Sequence, residues 1–150
     1  MSAERKSSPG EQALRLFARV HDTLYQRTGG RIGNRIPGAP NSLLLHTVGA
    51  KTSLPRTNSL SYARDKDSYL VVASNGGDRR SPGWLHNLNA DPRVEINVGP
   101  RRFAATAVTV GAGDPDYARL WRIVNANNAN RYDAYQAKTD RPIPIIRLTP

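Results

Sequence analysis

The stretch "SYLVVASNGGDRRSPGWLHNLNADPRVEINVGPRRFAATAVTV", residues 68–110, decides how the chain folds. It opens on an apolar, β-branched run from Tyr69 to Ala73, which reads as a strand, and stops at Ser74-Asn75-Gly76-Gly77. Two arginines follow. Ser81-Pro82 then offers a helix N-cap and a proline for the first helical position, for a short helix carrying Trp84 and ending near Ala90, where Asp91-Pro92 stops it. "RVEINVG" (93–99) and "RRFAATAVTV" (101–110) read as strands joined by Gly99-Pro100.

Outward from this stretch the pattern repeats. "SLLLHTV" (42–48) predicts a buried strand, "RTNSLSYAR" (56–64) a partly alternating one, and the Asp65-Lys66-Asp67 turn a hairpin with the strand that begins at Ser68. Asp114-Pro115 predicts the start of a helix reaching about Asn125, and "PIIRL" (144–148) a last strand. Upstream, "TGGRIGNRIPGAPN" (28–41) reads as an irregular connector. Leu14, Phe17, Val20 or His21, and Leu24 recur at three- to four-residue steps and predict an amphipathic N-terminal helix over 11–26. Residues 1–9 read as a disordered tail, and 10–150 as one domain. About six short strands with few long helices predict an α+β but mostly β fold, a small antiparallel barrel.

Composition narrows the chemistry. There is no cysteine in the 150 residues, which excludes disulfides, thiolate metal sites and thiol nucleophiles. No apolar run approaches the roughly 18 to 20 residues of a membrane span, and "MSAERKSSPGEQ" lacks the apolar middle of a signal peptide, so a cytoplasmic protein is expected. A net charge of +10 implies attraction to something anionic: nucleic acid, anionic lipid or a phosphate-bearing small molecule. With 7% aromatics and no nucleic-acid signature, nucleic acid is not the expected partner. His21, His46 and His86 lie far apart without metal-ligand spacing, and the carboxylates sit in turns and caps, so neither a metal nor a paired-carboxylate mechanism is expected.

Two segments remain. In "VGAKTSLPRTNSL" (48–60) a turn between strands brings Lys51, Thr52, Arg56, Thr57 and Asn58 close together, a set suited to an anion. In "ASNGGDRRSPGWLHNL" (73–88) a strand ends in small and polar residues, two glycines allow close approach, and a helix start follows. Together they point to a phosphate plus a planar group; each is also compatible with an ordinary glycine-rich hairpin and cap.

Residues 43–99 resemble the deazaflavin-dependent nitroreductase and quinone reductase family of actinobacteria, whose pattern runs roughly L-L-T-T-x-G-R-K-[ST]-G-x-P-R-x-x-P-L, then V-x-A-S-x-G-G, then P-x-W-x-x-N-L-x-A-x-P. The tail "YDAYQAKTDRPIPII" (132–146) is similar to that family's as well. The resemblance implies a split β-barrel related to the flavin-nucleotide-binding oxidoreductases. It implies coenzyme F420, an 8-hydroxy-5-deazaflavin, as cofactor, and a reductase passing hydride to quinones or related electron-poor acceptors. An FMN-dependent enzyme of the same barrel type and a non-catalytic deazaflavin-binding protein are the alternatives.

By the same resemblance Ala50, Lys51, Thr52 and Arg56, with Thr57, Asn58, Ser59, Leu60 and Ser61, would surround the cofactor phosphate and tail. Val72, Ala73, Ser74, Asn75 and Gly76 would line the ring at the strand end, and Trp84, Leu85, His86 and Asn87 would meet it from the short helix. Ser74 and Tyr132 would be catalytic, donating hydrogen bonds to charge forming on the acceptor, and Tyr132 with Tyr135 would border the substrate. Ala50 stands where the family usually has arginine, Leu54 where glycine is usual, and Ser61 and Ala129 replace tyrosines. A quinone-like acceptor is the expected small-molecule partner, with peripheral contact to anionic membrane and a homodimer as further expectations.

Overall fold

The computed structural model of the protein describes residues 41–150. The N-terminal helix expected over 11–26, the connector and the tail lie outside the described residues. Seven strands form one antiparallel sheet: β1 (Ser42–Val48), β2 (Pro55–Ser61), β3 (Ala63–Asp65), β4 (Ser68–Val72), β5 (Arg93–Val98), β6 (Arg101–Val110) and β7 (Ile145–Thr149). Their order is β2-β1-β5-β6-β7-β4-β3. Strands β2 and β3 therefore stand at opposite ends of the order, yet only Tyr62 separates them in the chain. A flat sheet cannot satisfy both facts; the sheet has to curl until its ends approach, which produces the split barrel.

Alternation fills the interior. Leu43 and Leu45, Tyr69, Val71 and Ala73, Val94 and Ile96, Ala105 and Ala107, Ile146 and Leu148 point into one apolar cluster. β4 and β7 are apolar without alternation because their outer faces are covered too: Leu70, Val72 and Ile145 join Leu120 and Val124 of the helix α2 (Tyr117–Asn127) in a second cluster. Arg119 anchors that helix, donating to Asp65 at 2.9 Å and to Asp116 at 2.8 Å, while Arg147 reaches Asp116 at 2.9 Å.

Three expectations change in detail. The strand expected over 56–64 breaks at Tyr62, where the chain passes between the sheet ends, so there are seven strands. The short helix α1 spans Gly83–Ala90; Pro82 is its N-cap, with extended backbone (φ −64°, ψ 149°), and no side chain caps it, so Ser81 is not the cap. Helix α2 begins at Tyr117, after Asp114 has folded its carboxylate back onto the Asp116 N–H at 2.8 Å, and continues to Asn127. A further helix, α3 (Arg131–Gln136), carries Tyr132 and Tyr135.

Candidate functional site

The β1–β2 connection is built around Gly49. Its N–H donates to the Leu54 carbonyl at 2.8 Å, and Ser53 N–H donates back to the Gly49 carbonyl at 2.9 Å. A Cβ on Gly49 would run into Thr52 Oγ1, so no larger residue fits while the threonine folds inward. That hydroxyl accepts from the Leu54 N–H at 3.3 Å, which leaves its own proton free to donate outward. The left-handed position of the loop is Ser53, with φ 58°. Aligned on Gly49 and Pro55, the family pattern puts its glycine at this position and not at Leu54, as the left-handed φ favours, and here serine takes it.

Helix α1 closes on this loop. Asn87 accepts the Ala50 N–H at 2.9 Å and donates to Thr47 Oγ1 at 3.1 Å, so its amide is used on both sides by β1 and the loop. Between them lies a cleft of about 540 Å³. One wall is Gly49, Ala50, Lys51, Thr52, Arg56 and Asn58; the other is Gly83, Trp84, His86 and Asn87. Trp84 is largely buried in the barrel interior, and offers the cleft part of a flat apolar surface. A Cβ on Gly83 would meet nothing, because the space before it is open.

Among the described residues some cations are ion-paired and others, Arg79 and Arg80 among them, are not; two of the second kind stand together at this cleft. Arg93, Arg102, Arg119 and Arg147 pair with carboxylates. Lys51 and Arg56 make no ion pair among the described residues, and no carboxylate lines the cleft. Two cations, a hydroxyl proton and an aromatic face with no internal counter-charge are a donor set for an anionic, partly planar ligand.

Eight of the expected residues meet here: Ala50, Lys51, Thr52, Arg56, Asn58, Trp84, His86 and Asn87. Others lie elsewhere. Thr57 lines a second depression of about 390 Å³ with His46, Asn97 and Arg102, and Arg56 borders both this depression and the cleft. There Asn97 Oδ1 accepts from His46 Nε2 at 2.6 Å, which fixes Nδ1 as the acceptor for the Thr57 hydroxyl at 3.0 Å in the neutral ring. Burial lowers the pKa of His46, with the Arg102 charge adding to it and the Asn97 bond and Glu95 opposing. Ser59 and Ser61 lie further along β2 and do not line the cleft, while Leu60 packs on the barrel interior.

At the end of β4, Ala73 belongs to the barrel interior, as does Leu85 of α1, and Val72 to the second cluster. Ser74 is buried, with its carbonyl bonded by Arg141. Asn75 and Gly76 turn the chain with φ 46° and 64°, and the Asn75 amide donates to the Arg80 carbonyl at 2.9 Å. Tyr132 is 7% exposed, packed in the second cluster and set edge-on to Tyr135 at 6.2 Å; burial pushes its pKa up to about 12. Gly49 and Gly83 were absent from the expected set. The signal for both was their position, glycines abutting the anion loop and the helix start.

The family described as F420H(2)-dependent quinone reductase matches residues 17–150. An F420H(2)-dependent quinone reductase of Mycobacterium tuberculosis is 69% identical over 140 residues, covering 93% of this chain and 91% of that protein. A solved structure described as an F420-H2 dependent reductase is 30% identical, with a TM-score of 0.63 over 71% of this chain and 92% of that one. Another, described as a domain-swapped dimer, is 29% identical with a TM-score of 0.66, covering 94% of this chain and 99% of that one. By fold, by sequence and by the family pattern across almost its whole length, the chain belongs to the F420H(2)-dependent quinone reductase family.

Proposed function

We propose that the cleft between the β1–β2 loop and α1 binds reduced coenzyme F420, and that the chain presents it there to a quinone. The observation that carries this reading is the pair Lys51 and Arg56, cations without a carboxylate partner among the described residues, on the wall facing Trp84. The fit is chemical: the cofactor carries a phosphate and a flat ring, and the cleft offers two charges and a hydroxyl for the first and an indole for the second.

When bound, the deazaflavin supplies a hydride from carbon 5. The protein supplies binding and orientation. Lys51 and Arg56 hold the phosphate, and Thr52, whose oxygen already accepts from Leu54, directs its proton to the same anion. Trp84 would offer the ring part of an apolar face, and Asn87 keeps the two walls at a fixed spacing by holding Ala50 and Thr47.

Val48 and Leu54 are 52% and 56% exposed on the hairpin that carries Lys51, which together with the +10 charge supports peripheral contact with an anionic bilayer, where lipid quinones reside. A relative of similar size described as a domain-swapped dimer supports a homodimer. We place the protein in the cytoplasm as part of the same proposal. The test is turnover of menadione with reduced F420. Arg56→Ala should raise the cofactor KM about tenfold, the scale of one charge-assisted bond, and an unchanged KM would remove the cleft from the reaction.

A further inference from the structure

The loop from Ala73 to Arg80 joins β4 to the helix that forms one wall of the cleft. It is an improbable conformation left to itself. Asn75, Gly76 and Gly77 are successively left-handed, with φ 46°, 64° and 83°, and Asn75 has a Cβ to accommodate. Bonds within the loop, Asn75 to the Arg80 carbonyl at 2.9 Å and the Arg80 N–H to Asp78 Oδ1 at 2.8 Å, hold its turn, and a further set comes from the other end of the chain. Arg141 donates from Nε to the Asp78 carbonyl at 2.9 Å, from Nη1 to the Ala73 carbonyl at 3.1 Å, and from Nη2 to the Ser74 carbonyl at 2.8 Å. Gly77 packs at the same place: a Cβ there would lie 2.6 Å from the Tyr135 carbonyl.

We propose that Arg141 is a positioning residue for the deazaflavin cleft, acting through the 73–80 loop on the wall that carries Gly83 and Trp84. The guanidinium suits the task because its planar fork reaches three carbonyls in different directions at once, which an ammonium on a flexible stem does not do. The bonds tie the start of the loop, Ala73-Ser74, and Asp78 within it onto one rigid group, from which the chain runs through Arg79 and Arg80 toward Pro82 and α1. Arg141 does not line the cleft. Its influence on binding would be preorganisation of that wall, not contact.

The proposal rests on the reading of the cleft as the deazaflavin site, and its test has one arm that does not. Arg79 and Arg80 are exposed on the clamped loop, so trypsin reports its opening. In Arg141→Met, cleavage mapped to residues 79–81 should be about tenfold faster than in wild type, while Arg141→Lys should fall between, since an open loop is cut in proportion to its population. Arg147→Met is the control: it removes another partly exposed arginine, bonded to Asp116 and not to the loop, and should leave the 79–81 cleavage rate unchanged. In fluorescence titrations with oxidised F420, Arg141→Met should bind about fivefold or more weakly and Arg147→Met like wild type. Unchanged tryptic cleavage in Arg141→Met, or equal acceleration in Arg147→Met, would overturn the clamp. Faster cleavage with unaltered F420 affinity would overturn its link to binding, and absence of F420 binding in wild type would overturn the reading of the cleft alone.

Discussion

Asn87 and Ala50 join the two walls of the cleft: the side-chain amide of one accepts the backbone N–H of the other at 2.9 Å, while its NH₂ holds Thr47 at 3.1 Å. Asn87→Ala removes both bonds and leaves the Ala50 N–H and the Thr47 hydroxyl without them, which should cost about 1 to 2 kcal/mol of stability in urea unfolding. Asn87→Asp keeps the acceptor for Ala50 but puts a negative charge beside Lys51 and Arg56. It should therefore bind F420 more weakly than Asn87→Ala, which a pair of titrations would show.

His46 should make stability fall in acid. Its folded pKa lies below the ordinary 6.5, with burial the largest cause, so the fold prefers the neutral ring. The contribution is then fully present above the unfolded pKa and is lost as pH falls through the folded value, because the unfolded chain takes up the proton first. A second consequence is local: protonation of Nδ1 turns the acceptor for the Thr57 hydroxyl into a donor. His46→Gln should flatten the decline of the urea midpoint between pH 7 and pH 5, and an unaltered slope would show that this ring does not titrate on unfolding.

Tyr132→Phe separates packing from chemistry. The phenol is buried in the second apolar cluster, and burial holds it protonated. Removing the hydroxyl should cost about 1 kcal/mol of stability and leave menadione turnover within about twofold of wild type. A large fall in kcat with unchanged stability would return Tyr132 to the reacting atoms.

Where local chemistry decides structure, the chain was readable. β6 (Arg101–Val110) has the expected bounds because Gly99-Pro100 forces the turn before it, and Lys51, Arg56 and Trp84 come together because a short hairpin and a short helix leave them little choice. The missed features depend on contacts distant in sequence. The break at Tyr62 arises from closure of the sheet between β2 and β3, which no local pattern records. Arg141 lies more than sixty positions from the carbonyls it binds, and in isolation it is one more arginine in a basic chain. Val72 and Ala73 are adjacent apolar residues whose opposite destinations depend on α2 covering the outer face of β4. Thr57 lines the second depression, which Arg56 also borders, and that division follows from a strand register the sequence alone did not define.

The most direct test of the account is a fluorescence titration of coenzyme F420 against wild type, Lys51→Ala, Arg56→Ala and the double variant, at fixed low salt. Saturable binding is expected for wild type, with each single variant about tenfold or more weaker, near 1.4 kcal/mol, and the double variant weaker still. FMN should not displace the bound cofactor. Wild-type affinity in the double variant would contradict the placement of the cofactor phosphate between Lys51 and Arg56, and with it the assignment of this cleft.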